Sequence, residues 1–132
     1  MIGLDTNVLV RYLAQDDKAQ SALATKLIEQ TLTVSKPGFI SVVSLVEVVW
    51  VLEGCYGSTK DEVVDIVERL LRVKQLLVED AEVVWQAVRL FRNGKADFAD
   101  CLIERAGSTH GCDHTVSFDK AAVKAVGMVQ LA

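Results

Sequence analysis

The sequence predicts an α/β domain with a mostly parallel sheet. Short apolar runs that fit buried strands alternate with longer segments in which apolar residues recur every three or four positions, as on one face of a helix. Strands separated by helices of ten or more residues generally pair in parallel. The chain has 132 residues, of which 51% are hydrophobic and 24% are charged. Because this length and composition suit one compact domain, we expect a single domain over residues 1–132.

The first half of the chain is predicted to hold two strands and three helices. In order they are a strand over residues 2–4, helices over 6–13 and 18–32, a strand over 39–41, and a helix from there to residue 52. Pro37-Gly38 breaks the chain before the second strand. The run after Ser41 is too long for a strand. We therefore predict a largely buried helix, although its β-branched residues favour a strand.

The second half is predicted to continue the alternation. In order it holds a helix over residues 60–74, a strand over 76–78, helices over 81–93 and 98–109, a strand over 114–118, a helix over 120–126 and a strand over 128–131. Thr59 is a favoured N-cap for the first of these helices, and Asp61 and Glu62 suit its first turn. Asn93-Gly94 is a typical helix stop.

The charge balance is acidic, with 14 Lys and Arg residues against 18 Asp and Glu residues and a net charge of −4. Proteins that coat nucleic acid non-specifically carry an excess of Lys and Arg, so this balance argues against that class. If four carboxylates belong to a metal site, 14 remain against 14, which leaves room for local basic patches. The two candidate patches are Arg89, Arg92 and Lys95, and Arg69, Arg72 and Lys74. Ordinary solvated helix faces are the simpler explanation of both.

Cysteine, histidine and hydropathy patterns argue against several other classes. Cys55, Cys101 and Cys112 are odd in number and far apart, which suits reduced thiols better than a disulfide framework. Residues 110–114 include two His and one Cys, but no second pair completes a four-ligand zinc site, so a helix exit at Gly111 is the better interpretation. No apolar run approaches the ~18 residues of a membrane span, and the first residues do not resemble a signal peptide. We expect a cytoplasmic protein.

Acidic residues that lie next to apolar runs are the strongest functional signal. They are Asp5, Glu47, Asp97, Asp100 and Asp119. Carboxylates in apolar surroundings are costly to bury unless they are paired, hydrogen-bonded or bound to a metal. The predicted elements place these residues near strand ends or helix starts, which lie side by side at one edge of a parallel sheet. We therefore expect the five to converge.

Each acidic residue also has a purely local explanation. Three of them stand where helices begin and could serve as N-caps. These three are Asp5, Asp97 and Asp119. Glu47 has the spacing of a capping box from Ser44. Taken together, the local explanations weaken, because Glu47 lies among valines and Asp100 precedes the apolar residues 101–103, where a cap alone would leave charge uncompensated.

The ligand chemistry of such a cluster indicates the metal. Carboxylates without His or Cys favour a hard cation, Mg²⁺ or Mn²⁺, as one or two ions. A metal-held water is a better nucleophile than bulk water, and two metals can clamp both sides of a phosphodiester under in-line attack. Phosphodiester hydrolysis is the chemistry that best fits this pattern.

Four segments taken in order carry a family resemblance. They are residues 4–9 (LDTNVL), 44–47 (SLVE), 96–103 (ADFADCLI) and 116–119 (VSFD). Together they resemble PIN-domain ribonucleases, most of all the VapC toxins of prokaryotic toxin–antitoxin pairs. The resemblance spans essentially the whole chain and implies a three-layer α/β/α sandwich with a mostly parallel central sheet. It further implies an Mg²⁺- or Mn²⁺-dependent endoribonuclease for RNA such as tRNA, a homodimer, and a cognate antitoxin that inhibits it.

The resemblance also implies roles for single residues. The family's catalytic acidic quartet maps onto Asp5, Glu47, Asp100 and Asp119. In that family the first three hold metal, and the fourth contributes to a second metal site or acts through water. Asp97 is a further metal ligand or a helix cap. Thr6, Asn7 and Ser117 match polar positions that orient carboxylates or waters, with local turn and cap bonds as the alternative. Arg11 is the best candidate for a phosphate contact, with a plain surface cation as its alternative.

Two other functions fit the same residues less well. A non-catalytic protein of the same fold could bind RNA or protein, but the complete quartet counts against it. A phosphoacceptor or phosphatase domain would use an Asp at a strand end. Asp5-Thr6-Asn7 lacks the second Asp that one such phosphatase class uses, and Lys120 fits poorly as the late Lys of a receiver domain.

Overall fold

The computed structural model of the chain describes residues 1–131 and is an α/β structure with parallel strands, as the sequence predicts. The chain divides into two compact units that meet in the sequence at Ala81 and Glu82. Each unit has its own parallel strand pairing and its own buried apolar residues. No helix within residues 1–131 has the length and apolar character needed to cross a membrane.

The first unit alternates strands and helices. Its elements are β1 (Ile2–Gly3), α1 (Thr6–Ala14), α2 (Lys18–Lys26), β2 (Gly38–Ile40), α3 (Val42–Cys55), α4 (Lys60–Arg72) and β3 (Leu76–Val78). All three strands and all four helices were predicted, with bounds that differ by a few residues at most apart from α2. The capping residue predicted for α4 is also confirmed, because Thr59 and Glu62 form a complete capping box.

The sheet of this unit is parallel, with β2 between β1 and β3. Ile2 pairs with Gly38, and Ile40 pairs with Val78. Because the strands run in one direction, their carboxyl ends lie at the same edge of the sheet. Glu79, which follows β3, accepts a hydrogen bond from the Val42 amide at 2.9 Å and so ties that end of β3 to the start of α3.

Helix α3 forms despite its β-branched sequence. The Ser41 hydroxyl oxygen accepts a hydrogen bond from the Ser44 amide at 3.1 Å, which caps the helix. Leu45, Val48 and Val49 are fully or almost fully buried. A Val in a helix costs about 0.5 kcal/mol relative to Ala, whereas burying a Val or Leu side chain contributes about 1.5–3 kcal/mol. Packing therefore decides the structure of this segment.

Helix α2 differs from its prediction at its C-terminal end. The chain is α-helical only over Lys18–Lys26, and Leu27–Thr31 forms a π-helical turn. The Leu32 amide donates to the Leu27 carbonyl at 2.9 Å, one residue farther along than in an α-helix. The Gln75 side-chain amide donates to the Ile28 carbonyl at 2.9 Å, so a side chain satisfies a carbonyl in the widened turn. This partner is distant in sequence, and the local pattern could not reveal it.

The second unit is built on helices. Its elements are α5 (Ala81–Asn93), which starts at the junction, α6 (Phe98–Thr109), β4 (Val116–Ser117), α7 (Lys120–Val126) and β5 (Val129–Gln130). The Phe91 and Phe98 rings meet edge to face with centroids 5.8 Å apart. Val84, Val88 and Cys101 are buried in the same unit.

The three helices of this unit have the predicted bounds, while its two strands are shorter than predicted. The strands pair in parallel through Val116 with Val129 and Ser117 with Gln130. The prediction over residues 114–118 and 128–131 was too long because the apolar pattern extends beyond these paired residues. Gly127, with φ of 75°, ends α7 in the left-handed conformation that glycine adopts without strain.

Candidate active site

Asp5 lies at the carboxyl-end edge of the sheet in the first unit. It follows β1 and is the N-cap of α1, where its carboxylate accepts a hydrogen bond from the Thr6 amide at 2.7 Å. Its side chain is exposed. The alternative that Asp5 caps α1 is therefore correct as a statement of geometry. It does not compete with a metal role, because a carboxylate has lone pairs left for other partners.

Glu47 shares a groove with Asp5. It lies on the exposed face of α3, and its carboxylate oxygen Oε1 accepts a hydrogen bond from Thr6 Oγ1 at 2.8 Å. Both acidic residues line an open groove of about 370 Å³. Glu47 is not part of a capping box, since the N-cap of its helix is Ser41. One threonine thus connects the two acidic segments of this unit.

Two further predicted residues line the same groove. Asn7 is exposed at its wall. Arg11 also lines it, and its guanidinium donates two hydrogen bonds, from Nε to Gln20 Oε1 at 2.8 Å and from Nη1 to Asp16 Oδ1 at 3.3 Å. Arg11 therefore stands beside the acidic pair, but part of its charge is offset by Asp16.

The acidic residues of the second unit interact with one another. Asp97 is the N-cap of α6, and its Oδ1 accepts a hydrogen bond from the Asp100 amide at 2.8 Å. The pKa of the Asp100 carboxyl is raised, first by burial and then by the negative charges of Asp97 and Asp119. Both neighbours destabilise the charged form of Asp100, so a cation at these three carboxylates would relieve repulsion.

Asp119 is held by local bonds at the start of α7. Its carboxylate accepts hydrogen bonds from the amides of Ala121 at 2.9 Å and Ala122 at 3.4 Å, so it is an N-cap. Its own amide donates to Ser117 Oγ at 3.0 Å. Ser117, predicted beside the site, fixes the backbone from which Asp119 projects.

Two comparisons with known proteins bear on this arrangement. The sequence model of the PIN domain matches residues 2–127. The chain belongs to the PIN domain family. It is also similar to a VapC ribonuclease of Aquifex aeolicus (strain VF5), at 24% identity over 117 residues that cover 89% of this chain and 86% of that protein. The predicted resemblance to PIN-domain proteins of the VapC type is confirmed.

The donors of this PIN domain suit a hard cation. Its candidate ligands are carboxylates, with hydroxyls beside them, and magnesium and manganese favour oxygen over nitrogen or sulfur. Within residues 1–131, no group of three or more His, Cys, Asp or Glu side chains has an arrangement that could hold a metal. Asp5 and Glu47 line one groove in the first unit, and in the second unit Asp97 and Asp119 lie close enough to Asp100 to raise the pKa of its carboxyl.

Sequence reasoning missed two residues at the groove of this PIN domain. Tyr56, at the end of α3, lines the groove, and Asp16, between α1 and α2, bonds to both Tyr56 and Arg11. Tyr56 lies nine residues beyond Glu47 and belongs to none of the motifs. Tyr56 reaches the groove because α3 extends to Cys55, and the sequence pattern did not predict that length.

Proposed function

We propose that this PIN domain is an Mg²⁺- or Mn²⁺-dependent endoribonuclease that hydrolyses phosphodiester bonds in RNA, as the toxin of a toxin–antitoxin pair. The observation that carries the proposal is the hydrogen bond from Thr6 Oγ1 to Glu47 Oε1, which sets acidic residues of two distant segments on one groove. The mutual repulsion at Asp100 in the second unit supports Asp97, Asp100 and Asp119 as further cation ligands. The similarity to a protein named VapC ribonuclease supports RNA as the substrate.

The residues of the proposed site have distinct tasks. Asp5, Glu47, Asp100 and Asp119 would hold one or two metal ions, with Asp97 as a further ligand that also caps α6. The metal, when bound, supplies an activated water and neutralises charge on the phosphodiester. Thr6 orients Glu47 through its hydroxyl and Asp5 through its amide, and Ser117 orients Asp119. Such bonds hold carboxylates in position to bind a cation without rearrangement.

Several other features belong to the same proposal. The substrate is a structured RNA such as tRNA, a cognate antitoxin inhibits the protein, and two copies form a homodimer. Residues 1–132 act as one domain in the cytoplasm. These statements remain predictions from the sequence and from family membership.

Cleavage of RNA tests the proposal directly. Wild-type protein should cut tRNA in the presence of Mg²⁺ or Mn²⁺, and Asp5→Asn should abolish cutting. Because Asn caps a helix about as well as Asp does, the variant should keep its stability. Asp65→Asn is the matched control and should cut like wild type. It changes an exposed carboxylate of α4 that belongs to none of the four motifs. Undiminished cutting by Asp5→Asn would contradict the assignment.

A non-catalytic PIN-fold protein that binds RNA or protein is the alternative. Calorimetric titration with Mg²⁺ separates the two functions, because the nuclease needs the cation and the binding module does not. Absence of any binding at millimolar Mg²⁺, together with absence of cutting, would favour the binding module.

A further inference from the structure

The groove beside Asp5 and Glu47 has an aromatic wall that the proposed chemistry does not use. Tyr56 lines this groove and is 39% exposed. It stands at the C-cap of α3, the helix that carries Glu47. An exposed aromatic ring beside acidic residues offers a flat apolar surface in an otherwise polar site.

The hydroxyl of Tyr56 is anchored. It donates a hydrogen bond to Asp16 Oδ2 at 2.6 Å, across 40 residues of sequence. This bond raises the pKa of Tyr56 and lowers the pKa of Asp16. Asp16 is therefore charged at neutral pH and Tyr56 is a neutral donor. The short, charge-assisted bond fixes the far end of the ring.

The backbone at both ends of this bond is also fixed. After Tyr56 the chain turns through Gly57, whose φ is 63°, and the Ser58 amide donates to the Leu52 carbonyl at 2.9 Å. On the other side, the Gln15 side-chain amide donates to the Tyr12 carbonyl at 2.7 Å and to Thr25 Oγ1 at 3.0 Å. Asp17, the residue after Asp16, caps α2. The ring is held in place before any ligand arrives.

Without a bound metal, the charges of the groove leave little attraction for phosphate. Asp5 and Glu47 are negative, and Asp16 offsets the one guanidinium, that of Arg11. A contact that does not depend on phosphate charge would add to the attraction that a bound metal supplies. Stacking of a base on an aromatic ring is such a contact, because every base has a flat π-face.

We propose that Tyr56 stacks on an unpaired nucleobase of the RNA and holds it beside Asp5 and Glu47, while Asp16 positions the ring. The inference rests on the proposed function in that it takes this groove as the place of cleavage. It assigns single-stranded segments or loops as the substrate, because a base must leave its helix to stack on a side chain.

Steady-state cleavage and binding of a short single-stranded RNA test this role. Stacking contributes about 1–3 kcal/mol per base, so Tyr56→Leu should weaken binding and raise KM by roughly 5- to 150-fold. Its kcat should change much less. Tyr56→Phe keeps the ring but loses the bond to Asp16, so its KM should rise clearly less than that of Tyr56→Leu. Tyr12→Leu is the matched control, since Tyr12 also donates to a carboxylate, Glu29, but lines a different groove.

Binding by fluorescence separates this inference from the proposed function. The fluorescence of an RNA that carries aminopurine should be quenched when wild type or Tyr56→Phe binds it. Tyr56→Leu should not quench this fluorescence. If wild type quenches the probe through Tyr56 but cuts no RNA, the nuclease proposal fails and the stacking site stands. If wild type cuts and Tyr56→Leu keeps the wild-type KM and quenching, stacking is overturned. Equal losses of RNA binding in Tyr56→Phe and Tyr56→Leu would also overturn stacking, because the hydroxyl and not the ring would then be responsible for binding.

Crosslinking keeps the test decisive if Tyr56→Leu does not fold. Wild-type protein is irradiated with an iodouridine-substituted RNA, and the crosslinked peptide is identified by mass spectrometry. A crosslink to Tyr56 supports stacking, and crosslinks only to other residues contradict it.

Discussion

At the scale of single residues, three of the candidate metal ligands are also helix N-caps. The local alternative for Asp5, Asp97 and Asp119 is geometrically correct, because each accepts a hydrogen bond from a backbone amide at a helix start. A bond of this kind uses one lone pair of a carboxylate and fixes its direction. The structure confirms the caps, and the role of these side chains as metal ligands stays a prediction.

Asp97 allows the two roles to be separated experimentally. Asp97→Asn keeps a capping oxygen but removes a charge that repels Asp100, so its free energy of unfolding without metal should stay within about 0.5 kcal/mol of wild type. Asp97→Ala loses the cap and should cost about 1 kcal/mol. If Asp97 is a ligand, both variants should bind Mg²⁺ more weakly. Denaturant unfolding and calorimetry measure the two effects. Wild-type Mg²⁺ affinity in Asp97→Asn would leave Asp97 as a cap only.

At the scale of elements, the sequence predicted helix bounds well where caps are local and less well where contacts are distant. Helices α5, α6 and α7 match their predicted bounds. Helix α2 does not, because the chain continues into a π-helical turn, where Gln75 from a distant segment bonds the Ile28 carbonyl. The valines of α3 favour a strand by their intrinsic propensity, but their burial stabilises a helix.

Gly38 shows how tightly the central strand β2 is packed. A Cβ at this position would lie 2.7 Å from Leu32 Cδ1 and 2.9 Å from Leu4 Cδ1. Gly38→Ala should therefore lower the free energy of unfolding by about 1–3 kcal/mol, because buried leucines must shift.

Gly54 in α3 is the matched control for Gly38. A Cβ there would meet nothing within 4 Å, so Gly54→Ala should stabilise the protein by about 0.5–1 kcal/mol through helix propensity. Denaturant unfolding of both variants checks the pair. Equal effects of the two substitutions would contradict the packing argument at Gly38.

At the scale of the whole molecule, the sequence predicted that acids from separate segments act together. The order of the four motifs supported the PIN-domain resemblance, which the match over residues 2–127 confirms. The pairing of Glu47 with Thr6, and the roles of Asp16 and Tyr56, were not predictable. Side-chain contacts between distant segments leave no periodic signal in the sequence. That the carboxylates of both units hold the same ions stays a prediction.

A double-mutant cycle on metal-induced stability tests that prediction. A cation that binds only the folded protein stabilises it by about 2.7 kcal/mol at a hundred times its dissociation constant, so Mg²⁺ should raise the Tm of wild type. Asp5→Asn in the first unit and Asp119→Asn in the second both keep a helix cap and should fold normally without metal. Each should remove most of the Mg²⁺-induced rise, whereas the control Asp65→Asn should remove none. If both acids serve the same ions, the double variant should lose hardly more than either single variant, because a site already lost cannot be lost twice. Independent, additive losses would instead mean that the two units bind separate cations, and the predicted shared quartet would be wrong.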